Sequence, residues 1–162
     1  MNQKLFNLVK KAASNVAAIK KIDDYGSDTP NPLTYSKEVA QKYLPMLLDV
    51  LDNPVSKKYP DTKVYLGMKI PLQDKRKDAI KEYIWTYALK RNGSRLSGEL
   101  LNTPASPAFR KGQRVEFDPE EVVDWSLDLK DDSGDYSYGY FSTPALDLVR
   151  AKLYGPKPKK WS

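Results

Sequence analysis

The 162-residue sequence contains no cysteine and no histidine. Without cysteine there is no disulfide, no thiolate metal site and no thiol nucleophile. Without imidazole there is no Ser-His-Asp triad, no histidine-bearing zinc site and no unperturbed side chain that titrates near neutral pH. Glycine-rich phosphate loops and a G-x-S-x-G elbow are also missing, so nucleotide-dependent and α/β-hydrolase chemistry have no sequence support. No apolar run approaches the about 20 residues of a membrane span. The N-terminal MNQKLFNLVKKAASNVAAIKK interrupts its apolar residues at Asn7 and Lys10-Lys11, and so lacks the core of a signal peptide. These absences predict a cytoplasmic, non-catalytic chain with no cofactor, no metal and no membrane association.

What is present suffices for a packed core. The chain is 40% hydrophobic and 11% aromatic, which excludes global disorder. Net charge is +6, and it is unevenly spread. Residues 1–21 carry five lysines and no acid, residues 57–95 eleven Lys/Arg against four acids, and residues 150–160 five Lys/Arg and no acid. Residues 118–135 hold eight Asp/Glu against Lys130 alone. Such polarity steers association with charged partners.

The spacing predicts an α+β fold: a small antiparallel sheet with a central hairpin, flanked by N-terminal and C-terminal helices. Residues 4–21 show helical periodicity. Residues 36–51 do so again, with Pro45 expected to kink or break that helix. Strands are expected at 64–72, 114–117, from Asp124 onward, and at 137–142, followed by a helix over 145–153. The organisation expected is a helical extension (1–55), an α+β domain (56–155) and a basic tail (156–162). Asn92-Gly93 reads as a type I′ turn with both residues at φ > 0. That turn sets Leu89 opposite Leu96, Tyr87 opposite Gly98, Trp85 opposite Leu100 and Tyr83 opposite Asn102. Tyr83, Trp85, Tyr87 and Leu89 then share one face, with the Tyr87 ring covering Gly98. Trp85 and Trp125 are expected in one core.

Several residues are candidates for function. Trp85, Asp124 and Trp125 could line a small pocket, against the plainer reading in which Trp125 packs inside and Asp124 bonds backbone. Asp131, Asp132 and Asp135 offer hard oxygen ligands, but their spacing is not that of a calcium loop, so no metal site is assigned. Glu82 or Glu99 could pair with Asp124 for acid/base work, although the expected register sets Glu99 opposite Thr86, away from Trp85. Tyr65, Tyr83 and Tyr87 among Lys57, Lys58, Lys75, Arg76, Lys77, Arg91 and Arg95 resemble the cation-and-ring mixture that binds single strands.

One ordered set of residues runs through these elements: Lys69, Glu82-x-x-Trp85, the hairpin, Ser97-Gly98-x-Leu100-x-Asn102-x-Pro104, Gly112-x-x-Val115, Asp124-Trp125 and Gly139-Tyr140-Phe141-Ser142-Thr143. Over residues 63–148 it resembles the bacterial YegJ-like family, a domain of unknown function. The resemblance implies a small α+β fold and no particular activity. In that pattern an arginine follows the final threonine; here the position is Pro144, so any anion contact made by that arginine is missing.

The expected function is a non-catalytic protein-binding module, in its specific form a bacterial immunity protein that neutralises a toxin-like partner. The partner-binding candidates are Asp128, Asp131, Asp132 and Asp135 in the acidic block, and Arg91 and Arg95 at the hairpin tip. Single-stranded nucleic-acid binding is the alternative, and a carboxylate-dependent enzyme the third reading.

Overall fold

The computed structural model describes residues 32–53, 61–76, 82–132 and 134–142. Among these residues one helix, α1 (Pro32–Asp52), precedes six strands: β1 (Lys63–Pro71), β2 (Tyr83–Asn92), β3 (Arg95–Leu100), β4 (Arg114–Phe117), β5 (Asp124–Asp131) and β6 (Gly134–Gly139). They form one sheet in the order β4-β3-β2-β1-β5-β6, with every neighbouring pair antiparallel. Four strands meander from the centre to one edge. The chain then returns through a 3-10 turn at Pro119–Glu121 to place β5 on the other side of β1. Asp118 opens that turn, its N–H bonded to the Glu121 carboxylate at 2.7 Å. The helices expected over 4–21 and 145–153, and the basic tail, lie outside the described residues.

Alternation decides what each face carries. On one face Met68, Ile70, Ile84, Thr86, Leu96, Leu100, Phe117, Trp125, Leu127 and Leu129 are buried, and α1 packs over them with Ala40, Leu44, Leu47 and Val50. Helix and sheet therefore share one core. The Trp125 indole N–H donates to the Ala40 carbonyl at 3.0 Å. The Gln41 side chain reaches the returning chain, donating to the carbonyls of Pro119 (2.9 Å) and Val122 (2.7 Å). Pro45 neither stops nor divides the helix, contrary to expectation. It sits on the solvent side, where the carbonyl left without a donor opens to water.

The hairpin differs from its sequence signature. The pairing Asn92↔Arg95 leaves Gly93 and Ser94 as the turn. Gly93 has φ +61°, and Asn92 is not among the residues with positive φ. A left-handed first central residue alone is the II′ pattern rather than I′. A bulge between Tyr87 and Lys90, with Ala88 at φ +49°, adds a residue to β2. Thr86, not Trp85, therefore pairs with Leu100, and Tyr87 pairs with Glu99. Because side chains alternate, a shift of one residue turns Trp85 and Tyr87 away from the Leu100 face. Leu89 crosses to the core side, where it meets Gly98. Of these two tryptophans, Trp125 belongs to the helix-covered core and Trp85 is half-buried on the other face. The last strand ends at Gly139 rather than running to residue 142.

Candidate functional site: the open face of the sheet

No described helix covers the second face of the sheet. Register places Trp85, Lys69 and Asp124 in one row across β2, β1 and β5. The next row is Tyr87, Gly67, Ser126 and Gly139, and the one after holds Tyr65, Asp128 and Ser137. Tyr83 and Tyr65 stand out into solvent, 45% and 50% exposed, and Leu101, 42% exposed, adjoins Trp85 through the bond from its N–H to the Trp85 carbonyl. The expected ring over a strand glycine exists, but it spans a different pair. Tyr87 lies over Gly67, where an added Cβ would come within 3.0 Å of the ring and 2.7 Å of Ser126 Oγ.

Asp124 is fully buried at one end of this face. Its Oδ1 accepts the backbone N–H groups of Trp125 (2.8 Å) and Phe141 (2.9 Å), and its Oδ2 accepts the Ser142 N–H (2.9 Å) and the Ser142 hydroxyl (2.6 Å). Burial pushes its carboxyl above the usual range, against these four bonds, which favour the ionised form. The carboxylate thus holds the chain after β6 in place. That segment needs help, because it turns sharply: Gly139 has φ +90° and Tyr140 φ +57°. A side chain at Gly139 would strike the Trp125 carbonyl at 2.1 Å.

The turn throws Tyr140 back over the open face. Its ring lies 5.4 Å from that of Trp85, tilted by 52°, and its hydroxyl donates to Asp128 at 2.9 Å. Burial pushes the phenol up to about 12; the neighbouring Ser126 hydroxyl opposes the rise and the Asp128 carboxylate adds to it. Ser126 Oγ, buried, makes no hydrogen bond of good geometry. Lys69 reaches toward the same place, its ammonium 3.3 Å from Ser142 Oγ and 5.9 Å from the centre of the Trp85 ring.

The expected pocket of Trp85, Asp124 and Trp125 is not assembled. Asp124 and Trp85 share the open face, whereas Trp125 alternates onto the other side and packs edge-on against Phe141, centroids 5.0 Å apart. The carboxylates proposed for acid/base work are also separate: Glu82 accepts the Ala105 N–H at 2.9 Å, and Glu99, opposite Tyr87, pairs with Arg114 at 2.7 Å. Arg91 and Arg95 are engaged within the chain. Arg91 pairs with Asp52 at the end of α1, and Arg95 with Glu116 (3.2 Å) and Asp118 (3.1 Å). Asp135 faces Lys130 at 3.6 Å, Asp128 holds Tyr140, and Asp131 and Asp132 lie at the β5–β6 turn. Among the described residues no group of acidic side chains is placed to hold a metal ion, and no helix is long and apolar enough to cross a membrane.

Lys69, Trp85, Asp124, Gly139, Tyr140 and Ser142 stand in the ordered set read from the sequence, spread over more than seventy positions. The sheet brings all six to one end of the open face. The family described as "Uncharacterized protein conserved in bacteria (DUF2314)" matches residues 35–149, most of the chain and all of its described strands. The chain belongs to that family. Its family match begins within α1, earlier than the residues that carried the sequence resemblance, and agrees with them in pointing to a bacterial domain of unknown function. No curated protein and no solved structure matches the chain.

Lys69 and Ser142 were not singled out from sequence as site residues. In the sequence both read as strand residues, Lys69 inside the strand expected at 64–72 and Ser142 at the end of the one expected at 137–142. Their meeting depends on the turn at Gly139-Tyr140, which the GYFS run marks only by its glycine.

Proposed function

We propose that this domain is a non-catalytic protein-binding module that docks its partner on the open face of the sheet. The observation that carries this reading is the ring set of Tyr65, Tyr83, Trp85, Tyr87 and Tyr140 on that face, two of its members about half exposed. Aromatic side chains give large contact area at small conformational cost, and they dominate the energetics of protein interfaces. The acidic β5–β6 turn, with Asp131, Asp132 and Asp135, lies at the far end of the same sheet and would steer a basic neighbour. Neutralisation of a cognate toxin, by covering its active site, is the specific form we propose for this binding.

Single-stranded nucleic acid is the second reading, favoured by the same rings. Against it, the arginines of this face are held by carboxylates: Arg95 by Glu116 and Asp118, and Arg114 by Glu99. A phosphate backbone would have to displace those pairs before gaining any counter-ion release.

The test is co-purification from the native host using the wild-type chain, a Tyr65→Ala/Tyr83→Ala variant, and a variant with Asp131, Asp132 and Asp135 changed to Lys. A one-to-one complex by light scattering is expected for wild type. The aromatic variant should lose it, and the acidic variant should form it more slowly at low salt. If the partner is a toxin, its own activity disappears in the complex. Steeply salt-dependent binding to labelled single-stranded RNA, with no stoichiometric protein complex, would replace this reading by the second.

A further inference from the structure

Lys69 differs from every other described cation. Among the described residues every other lysine and arginine is an exposed residue, whereas Lys69 is half-buried in the middle of the sheet. No carboxylate lies within 4.0 Å of it among the described residues, although Arg76, Arg91, Arg95, Arg114 and Lys130 each have one. Its only described hydrogen bond is the 3.3 Å contact to Ser142 Oγ, long for an ammonium donor with three protons to place. A partly desolvated charge of this kind calls for a counter-charge. The register neighbour Asp124 does not supply it directly, because its oxygens already accept four hydrogen bonds and the Ser142 hydroxyl lies between. Asp128 is four residues further along β5, about 13 Å at the rise of a strand.

We propose that Lys69 anchors an acidic peptide segment, which sets a carboxylate on the ammonium and an adjacent aromatic or large apolar side chain against Trp85 and Tyr83. This inference rests on the protein-binding reading and supplies the chemistry of the partner. Charge complementarity selects an acidic segment and disfavours the basic stretches of this chain. Residues 1–21 and 150–160 carry five positive side chains each and no acid, so they are repelled from an ammonium. The rings beside Lys69 explain why a bare anion is a poorer occupant than an acid next to an apolar group: the Trp85 face and the exposed Tyr83 ring are covered only in the second case.

A random peptide library displayed on phage, selected on the full chain, tests this directly. Enriched sequences should place Asp or Glu beside an aromatic or large apolar residue. The best synthetic peptide should bind Lys69→Met about tenfold or more weakly, the scale of a charged hydrogen bond, while Lys69→Arg retains binding. Changing the peptide's acid to its amide should cost a similar factor. In the wild-type protein the Lys69 ε-methylene NMR signal should shift on adding peptide, a readout independent of how the variants fold. Enrichment without acids, equal affinity for Lys69→Met, or a stationary Lys69 signal each overturns the proposal, as does selective enrichment of nothing. A host complex that forms through the open face while the peptide arm fails sinks this inference alone. Loss of any host complex sinks the docking reading itself.

Discussion

On the covered face of the sheet, aliphatic side chains and Trp125 meet a helix, and almost every residue is buried. On the open face the same six strands carry tyrosines, Trp85, a half-buried lysine and hydroxyl groups, with Ser126 Oγ unsatisfied. The two sets come from the same strands by alternation, so backbone pairing cannot explain the difference. The covered face is mainly apolar packing, pinned by a few satisfied hydrogen bonds such as that from the Trp125 indole to Ala40. The open face holds a carboxylate, a lysine and two sharp φ values together at one end, an arrangement that costs stability and needs another reason to exist.

The contrast makes its strongest claim on the two tryptophans. Trp125→Ala should destabilise the domain by about 3–5 kcal/mol, since it empties a buried site and removes the bond to Ala40. Trp85→Ala, on the half-buried side, should cost about half of that or less. Urea unfolding of the two variants compares them, and equal losses would mean the open face is packed as tightly as the covered one.

Next in size is Asp124→Ala, expected to cost about 2–4 kcal/mol by leaving the N–H groups of Trp125, Phe141 and Ser142 without their acceptor. Asp128→Ala removes one partly exposed bond to Tyr140 and should cost well under half as much. Loss of Tyr140 order without loss of stability, seen by NMR in the Asp128 variant, would confirm that the two aspartates have different work.

The two perturbed aspartates also set opposite pH dependences. Asp74, under the Arg76 guanidinium and the Ser106 hydroxyl, has its carboxyl held well below the usual range. Its contribution is present above the unfolded-state value of about 3.9 and is lost as pH falls through and below it. Asp124 has its carboxyl raised by burial. Its contribution is greatest below about pH 3.9 and declines as pH rises toward the folded-state value. Stability measured from acid to neutral pH in Asp74→Asn and Asp124→Asn should therefore change slope in opposite senses. A common change in slope would break the assignment.

The smallest expected effect is on the charge pairs of the open face. Glu99→Gln should alter stability by no more than about 0.5–1 kcal/mol, because the Arg114 pair is solvated. A larger loss by thermal melting would show that these pairs support the face itself.

Much of the fold was legible before any coordinates. The four-residue β4 matched its expected span, and β1, β5 and α1 fell within a few residues of theirs, because aliphatic alternation and turn residues mark them locally. Register was not legible. Asn92-Gly93 is a strong local signal, but the bulge at Ala88 is chosen by what the extra residue achieves across the sheet: Leu89 joins the core and Tyr87 reaches Gly67. Alternation in Tyr83, Trp85 and Tyr87 correctly placed three rings on one side; it does not say which side a helix will take. Met68, Ile70, Leu127 and Leu129 decided that from other strands. Of the candidate site, Asp124 and Trp85 were visible as single residues, whereas Lys69 and Ser142 gain meaning only from tertiary proximity.

Pro45 and the Trp125 indole together fix how α1 can sit. The proline deprives the Gln41 carbonyl of its usual donor, in the same turn where the Ala40 carbonyl accepts the indole and the Gln41 amide grips two carbonyls of the returning chain. Three directional bonds within two consecutive residues act as a key with one setting. Sliding the helix by one turn would move it about 5.4 Å and break all of them at once. The covered side of this protein is thereby pinned in one register, and the freedom to adjust to a visitor falls to the side chains of the exposed side.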